Sequence, residues 1–171
     1  MLFRHNRPEY SDGEIDLIPL HISPPDPGLG FGHEQVWRIT IHNDPHEIGQ
    51  ISYRNGESRC VYYYGHIGYH IDPPYRGRHY AYRACRLLTE EIRRSGKQSV
   101  VITCDPDNIP SRKTCQKLEC LFECVTHVPE ELQQKYEISG VKCRYIWHVG
   151  SCGNDREGEN ESLYQRRRDR L

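Results

Sequence analysis

Residues 71–81 read Ile-Asp-Pro-Pro-Tyr-Arg-Gly-Arg-His-Tyr-Ala and decide the fold, because they join a predicted strand to a predicted helix. The aromatic and β-branched run at residues 62–71 predicts a strand that ends at the two prolines, which cannot donate to a sheet ladder. From Tyr80, apolar residues recur at helical spacing as far as Gly96, which supplies a stop signal. The β-branched run 99–104 then predicts a buried strand. The unit is therefore βαβ, with parallel strands and a right-handed crossover.

Further strands and a second helix are predicted on both sides of this unit. Residues 23–32 are rich in proline and glycine, which favours a loop over helices. Asn108 is predicted to cap the second helix. The predicted buried face of that helix carries Ile109, Cys115 and Leu118. The other predicted strands are residues 14–21, 35–41, 48–54, 121–127 and 141–149.

The size and charge of the chain favour one domain without a general affinity for polyanions. The 171 residues are typical of a single domain, which we assign to residues 1–150. The 23 basic and 24 acidic residues leave a net charge of -1, so no overall field attracts nucleic acid or an acidic membrane. Residues 151–171 are polar and charged, and they predict a solvated tail that includes the basic run 166–168.

The hydropathy pattern and the cysteines predict a cytoplasmic protein. No run approaches the ~20 apolar residues of a membrane-spanning helix, and the first residues lack the apolar core of a signal peptide. The 8 cysteines of such a chain are expected to be free thiols rather than disulfides. Their spacing lacks the paired Cys-x-x-Cys signature of structural zinc sites, so no metal is predicted.

The loop at residues 72–79 is a candidate anion site. Unpaired backbone N–H groups at a helix start, together with the positive end of the helix dipole, bind anions. Arg76 and Arg78 would add charge-assisted hydrogen bonds. The loop lacks both the Gly-x-Gly-x-x-Gly of dinucleotide folds and the Gly-x-x-x-x-Gly-Lys-Ser/Thr of P-loops. These local features favour a phosphate site and an ordinary strand-to-helix turn equally.

Two segments resemble motifs of the GNAT superfamily of N-acetyltransferases. Residues 76–81, Arg-Gly-Arg-His-Tyr-Ala, resemble the family's pyrophosphate-binding motif Gln/Arg-x-x-Gly-x-Gly/Ala, with His79 at a position that is usually glycine. Residues 105–111, Asp-Pro-Asp-Asn-Ile-Pro-Ser, resemble its Asn-x-x-Ser segment after the fifth strand. The resemblance covers residues 14–149 and is closest to a bacterial subgroup with Pro-x-Tyr-Arg-Gly-x-x-Tyr-Ala and Ile-Thr-Cys-x-Pro-Asp-Asn.

The resemblance implies a mixed α+β fold with acetyl-CoA as co-substrate. Its sheet would be mostly antiparallel, with about six to seven strands flanked by helices and a V-shaped splay between strands four and five. Acetyl-CoA would bind in the splay, and its acetyl group would pass to a primary amine by direct attack in a ternary complex. The cofactor-binding residues implied are Ile71, Arg76, Gly77, Arg78, His79, Tyr80, Ala81, Asn108 and Ser111.

The sequence offers several candidates for the acid and the base of such a transfer. The candidate general bases, on or beside central strands, are Glu47, Glu57, His66 and His70. To protonate the departing thiolate, many members of the family have a tyrosine four residues after the motif serine, where this chain has Cys115. Cys115 could also be inert packing, with Tyr75, Tyr80 or solvent as the acid. The working catalytic set is Glu47, His70 and Cys115.

Two other classes of function stay open on the sequence alone. His79 and Cys115 stand at two positions where the family usually has other residues. This departure is compatible with a module that binds acyl-CoA without turnover. The basic run 166–168 would suit a nucleic-acid or interaction protein, whose binding would depend on salt. We expect neither a nucleic-acid nor a membrane partner, and a homodimer is compatible with the sequence. Family members usually have helices at the place of the loop 23–32, where they shape the acceptor pocket, so the acceptor is undetermined.

Overall fold

The structure, a computed structural model, describes residues 7–25, 30 and 32–149. Its strands are β1 (Tyr10–Ser11), β2 (Ile15–Ser23), β3 (Glu34–Ile41), β4 (Glu47–Arg54), β5 (Ile67–Ile71), β6 (Ser99–Cys104), β7 (Leu121–His127) and β8 (Val141–His148). Its helices are α1 (Arg59–Tyr64), α2 (Tyr80–Leu87), α3 (Thr89–Arg94), α4 (Ile109–Lys117) and α5 (Glu130–Tyr136), with a 3₁₀ turn at Pro73–Tyr75.

The strands of the described residues form one sheet in the order β1-β2-β3-β4-β5-β6-β8-β7. Each neighbouring pair is antiparallel except β5 with β6, which confirms the predicted parallel strands and the mixed α+β fold. The sheet has 8 strands rather than six to seven. The additional strand is β1, in which Tyr10 and Ser11 pair with Leu17 and Asp16. Two residues are too few to show the alternation of apolar and polar side chains that predicts a strand.

The sheet splays between β5 and β6. Within the described residues these two strands pair at one position, Ile67 opposite Ile102. On its other side β5 stays paired with β4 as far as Ile71, which lies opposite Gly49. The two parallel strands therefore diverge toward their carboxyl ends and open a cleft there. A Cβ on Gly49 would lie 2.3 Å from the carbonyl oxygen of His70, so glycine lets β4 support the end of β5 at this close approach.

The predicted strand at residues 62–71 is wrong in its first part, where α1 forms instead. The Ser58 hydroxyl accepts the N–H of Val61 at 3.1 Å and caps the helix. Gly65 ends it with a φ of 74°. Val61 is 2% exposed, and Leu132 of the unpredicted helix α5 packs against its cluster. Capping and this packing outweigh the preference of the tyrosines for a strand.

The predicted helix after Tyr80 is confirmed as two helices that follow each other through Leu88. The Leu88 N–H donates to Ala84 O, and the Ile92 N–H donates to Leu88 O, so the hydrogen-bonded path continues. The predicted apolar face lies against the sheet, because Ala84, Cys85, Leu88 and Ile92 are all 0% exposed. This face fixes the position of the helix start, where the loop 72–79 ends.

The second predicted helix is confirmed as α4, including its cap. Asn108 Oδ1 accepts the N–H of Ser111 at 3.1 Å. Cys115 and Leu118 are buried as predicted. The prediction for Ile109 is wrong, because this side chain is 48% exposed in the first turn of the helix.

Other predictions concern thiols, membranes and domain boundaries. The cysteines within the described ranges are free thiols: Cys60, Cys85, Cys104, Cys115, Cys120, Cys124 and Cys143. None of the helices in the described part of the chain is long and apolar enough to cross a membrane. Strand β2 ends at Ser23 and β3 begins at Glu34, while residues 26–29 and 31 of the predicted loop lie outside the described residues. The predicted tail at 151–171 and its boundary at 150 also lie outside them.

Candidate functional site

A cavity of about 580 Å³ opens where β5 separates from β6. Its walls are the end of β5, the loop 72–79 with the first turn of α2, and the segment from Asn108 along α4. Ile71 and Ser111 are its buried lining residues, at 9% and 7% exposure, so they mark its deep end. The other lining residues are Tyr69, His70, Tyr75, Arg76, Gly77, His79, Tyr80, Ala81, Asn108, Ile109, Pro110, Lys113, Thr114 and Lys117.

The loop between β5 and α2 is shaped to expose backbone N–H groups. No side chain caps the start of α2, so the N–H groups of Tyr80 and Ala81 lack partners within the helix. Gly77 and His79 have φ values of 79° and 61°, both in the left-handed region. The histidine thus adopts the conformation that glycine usually supplies at this motif position. Arg76 Nε donates to the Ile71 carbonyl at 2.7 Å and ties the loop to β5.

The side chains around this cavity are basic. Arg76, Lys113 and Lys117 line it, and the described lining residues include no aspartate or glutamate. Lys117 Nζ lies 5.0 Å from the centre of the Tyr82 ring, a cation–π contact that links α4 to α2. Cations together with an uncapped helix start attract phosphate groups from two sides. The geometry therefore suits a ligand that carries several phosphates.

The structure brings eight of the nine sequence-predicted cofactor residues to this cavity. These eight are Ile71, Arg76, Gly77, His79, Tyr80, Ala81, Asn108 and Ser111. Arg78 is exposed and does not line the cavity. Tyr69, Lys113 and Lys117 also line the cavity, although the sequence did not predict them as binding residues. The two lysines are spaced i, i+4 in the predicted helix, a signal that could have placed them on one face.

The candidate bases differ in their access to the cavity. The exposed His70 lines it, with Nε2 4.0 Å from Asp72 Oδ1. Glu47 does not line it, and instead accepts a hydrogen bond of 2.8 Å from Gln50 Nε2. Gln50 is the residue opposite His70 in the β4–β5 register, so Gln50 and His70 separate Glu47 from the cavity. His70 is thus the member of the candidate set that faces the cavity directly.

A family model for the GNAT acetyltransferase domain matches residues 20–120, which include each segment that lines the cavity. The chain belongs to the GNAT family. A search of curated protein sequences returned no match for this GNAT protein.

Solved GNAT structures share the fold of this chain. The Microcin C7 self-immunity acetyltransferase MccE, in complex with acetyl-CoA and AMP, is 23% identical with a TM-score of 0.51, covering 67% of this chain and 61% of that one. The ribosomal-protein-S5-alanine acetyltransferase from Vibrio fischeri is 21% identical with a TM-score of 0.53, covering 71% and 64%. The ribosomal L7/L12 α-N-protein acetyltransferase RimL, in complex with coenzyme A, is 20% identical with a TM-score of 0.52, covering 70% and 64%. This chain thus spans less than two thirds of each relative, and at such identities the likeness shows the fold alone.

Two of the candidate bases in this GNAT protein serve the fold instead. His66 is 3% exposed, and its Nδ1 accepts the N–H of Val101 at 3.0 Å. Its Nε2 lies 3.1 Å from the Gly56 carbonyl and 3.3 Å from Glu57, whose carboxylate also binds Lys97. Neither His66 nor Glu57 lines the cavity. The hypothesis that either accepts the substrate proton is therefore wrong, because these side chains hold the segments on either side of α1 against β6 and Lys97.

The buried His66 should make stability depend on pH. Burial lowers the pKa of His66, although the Glu57 carboxylate opposes this. The unfolded chain then binds a proton below about pH 6.5, where the folded protein does not. Stability is thus complete above about pH 6.5 and falls as the pH drops below it, by at most about 1.4 kcal/mol per pH unit.

Urea unfolding between about pH 7.5 and 5.5 measures this loss. The His66→Gln variant is expected to be less stable but to lack that part of the pH dependence. An unchanged slope in the variant would assign the proton uptake to another residue.

Cys115 is a buried packing residue rather than an acid exposed to the ligand. It is 0% exposed and absent from the cavity lining. Its hydrogen bond with Cys120 and its burial both raise the pKa of the thiol, so it stays protonated. The proposed role of Cys115 as proton donor to the ligand is therefore wrong in geometry. Of the alternatives, Tyr75 and Tyr80 do line the cavity.

Replacing Cys115 with alanine should affect stability more than turnover. We expect a loss of about 1 kcal/mol of unfolding free energy from the buried sulfur, and kcat within about threefold of wild type. Cys60→Ala, at a buried cysteine outside the cavity lining, is the matched control for the stability change. Intact-protein mass spectrometry during turnover should detect no acetyl adduct at Cys115. A kinetically competent adduct with ping-pong kinetics would overturn direct transfer.

Proposed function

We propose that this GNAT protein transfers the acetyl group of acetyl-CoA to a primary amine by direct attack in a ternary complex. The observation that carries the proposal is the basic cavity at the splay of the sheet, with the uncapped start of α2 on one side and α4 on the other. The pyrophosphate would bind the N–H groups of residues 77–81, with Arg76, Lys113 and Lys117 balancing the negative charge.

The pantetheine arm is assigned to the edge of β5 that β6 leaves open. Beyond Ile67, β5 has no register pair with β6 in the described residues. Its backbone groups can therefore pair with the amides of an extended ligand, as in strand addition. The thioester would then lie near Ile71, where backbone N–H groups can polarise its carbonyl.

His70 is the proposed general base. His70 lines the cavity and its side chain is exposed, and the Asp72 carboxylate at 4.0 Å would stabilise the imidazolium that forms. The amine nitrogen attacks the thioester carbon, and His70 accepts the amine proton. The carbon–sulfur bond then breaks, and its electron pair leaves with coenzyme A as the thiolate. Orienting the two reactants supplies much of the rate enhancement.

The acceptor is proposed only as a chemical class, and the protein is proposed to belong to a bacterial subgroup and to act in the cytoplasm. An uncharged amine is the required nucleophile, and small amines, amino sugars, lysine side chains and protein N-termini all provide one. The segments Pro-x-Tyr-Arg-Gly-x-x-Tyr-Ala and Ile-Thr-Cys-x-Pro-Asp-Asn support a place in the bacterial subgroup, and the sequence features that favour free thiols support action in the cytoplasm.

The test is a calorimetric titration with acetyl-CoA followed by a screen of amine acceptors that reads the release of free thiol. The proposal expects binding and acceptor-dependent thiol release. Tight binding with background thiol release across the panel would instead identify a module that binds acyl-CoA without turnover. Absence of binding would overturn the proposed function altogether.

A further inference from the structure

A pair of hydroxyl groups joins β5 to α4 across the deep end of the cavity. Tyr69 Oη lies 2.8 Å from Ser111 Oγ. Both residues line the cavity, and Ser111 is 7% exposed. Because β5 and β6 have separated at this level, this hydrogen bond is a direct link between the two walls of the cleft. A hydroxyl pair in this place touches the space that a ligand would fill.

The chemistry of the two hydroxyls sets the direction of their hydrogen bond. Either hydroxyl can donate in this geometry, and because a phenol is the stronger hydrogen-bond donor we assign the donor role to Tyr69. Burial raises the pKa of Tyr69 far above its ordinary value, so the phenol stays neutral and keeps its proton. The neighbouring Cys104 is also neutral, since burial raises its pKa to about 11. Ser111 also hydrogen-bonds to Cys104, whose neutral sulfur is a weak acceptor, so a thiolate in the cavity would be the better acceptor for the Ser111 hydrogen.

The position of Ser111 matches the reacting end of a long ligand. The cations Arg76, Lys113 and Lys117 are exposed and surround the mouth, whereas Ser111 and Ile71 mark the deep end. A ligand anchored by its phosphates at the mouth would therefore carry its thioester inward. The Asn108 cap fixes the backbone of Ser111 there.

We propose that Tyr69 is a positioning residue that directs the Ser111 hydroxyl at the sulfur of coenzyme A as the thiolate leaves. This inference rests on the proposed function. When the carbon–sulfur bond breaks, its electron pair stays on sulfur, and Ser111 donates a hydrogen bond to it without giving up its proton. Tyr69 stays neutral throughout. Tyr69 thus acts through Ser111, which is the group that touches the leaving atom.

The test uses coenzyme A itself, so it does not depend on the acceptor. The ionisation of bound coenzyme A is followed by the ultraviolet absorbance of its thiolate, with the desulfo-coenzyme A complex as blank to cancel the tyrosines and thiols of the protein. We expect Ser111→Ala to lower the ionisation constant of the bound thiol about tenfold, since a hydrogen bond to a charged group is lost. Tyr69→Phe should give about a threefold decrease, and Ser111→Thr, which keeps the hydroxyl, little change.

The matched control is Tyr53→Phe. Tyr53 and Ser95 form a similar hydroxyl pair at 2.5 Å, outside the cavity lining. This variant should leave the ionisation constant unchanged. With an acceptor from the screen, Tyr69→Phe should lower kcat about three- to tenfold and leave the KM for acetyl-CoA within about twofold. Its effect should nearly vanish when Ser111 is already alanine.

The outcomes separate this inference from the proposed function. If wild-type protein does not bind coenzyme A, both fail. If coenzyme A binds but its thiol ionises identically in wild type, Tyr69→Phe and Ser111→Ala, the positioning role alone is overturned. Additive effects of the two substitutions on kcat would also overturn it. Ser111→Ala and Ser111→Thr keep the test decisive for the hydroxyl even if Tyr69→Phe fails to fold.

Discussion

Replacing His70 with glutamine is expected to slow acetyl transfer by about 10²- to 10⁴-fold, because glutamine cannot accept the proton of the attacking amine. The substitution keeps a polar side chain of similar size at an exposed position, so the fold should not change. Affinity for acetyl-CoA, measured by calorimetry, should stay within about twofold of wild type. The loss should therefore lie in kcat.

The control for this prediction is His148→Gln. His148 is exposed at the end of β8 and does not line the cavity, so its variant should keep full activity. Asp72→Asn should reduce kcat less than His70→Gln, since it removes only the stabilising charge. Full activity of His70→Gln would show that His70 is not the base. Glu47→Gln would then be the decisive variant, because Glu47 is the remaining carboxylate among the candidate bases and hydrogen-bonds to Gln50, which lies opposite His70.

Reversing the charge of both cavity lysines, as Lys113→Glu with Lys117→Glu, should weaken acetyl-CoA binding by at least about 10²-fold. A hydrogen bond to a charged group contributes about 1.5–3 kcal/mol, and each 1.4 kcal/mol corresponds to about tenfold in affinity. Both side chains are exposed on α4, so the fold should tolerate the change. Calorimetry with acetyl-CoA measures the effect, and the matched variant Lys113→Arg with Lys117→Arg should bind like wild type.

Salt provides a second measurement of the same interaction. The affinity of wild-type protein should fall as sodium chloride rises, whereas the doubly reversed variant should depend on salt much less. Unchanged affinity in that variant would contradict the placement of the phosphates at these lysines. Arg76→Glu should weaken binding more than Arg78→Glu, because Arg76 lines the cavity and Arg78 does not.

The shape of the loop that we propose as the phosphate site could be predicted from the sequence, because its structure depends on local interactions. Two prolines end the strand, Gly77 permits a left-handed turn, and the apolar spacing after Tyr80 starts a helix. Each of these constraints acts within a few residues of chain. The predicted cap at Asn108 is local in the same way, since it joins residues 108 and 111.

On the opposite wall of the cavity, the sequence predicted only Asn108 and Ser111 as binding residues, and it did so through the resemblance rather than through local constraints. Lys113 and Lys117 belong to α4, and Tyr69 reaches Ser111 across 42 positions of sequence. These groups meet because β5 and β6 diverge and because α4 packs beside α2. Neither event has a signal in a short window of sequence. The same packing decided that Cys115 is buried and that Ser111 lines the cavity.

The sequence by itself determined the βαβ unit, the turn at residues 72–79 and the capped helix α4, since spacing, proline, glycine and capping residues act on the chain locally. Only the tertiary structure decided which of two histidines, His66 just before β5 or His70 within it, is accessible from the cavity. His66 and His70 differ by an even number of positions and so point to the same face of an extended chain. Val101 of β6 donates its N–H to the ring of His66 and buries it, whereas β6 has moved away before His70. The presence or absence of that neighbouring strand makes one histidine a structural residue and leaves the other exposed to the cavity.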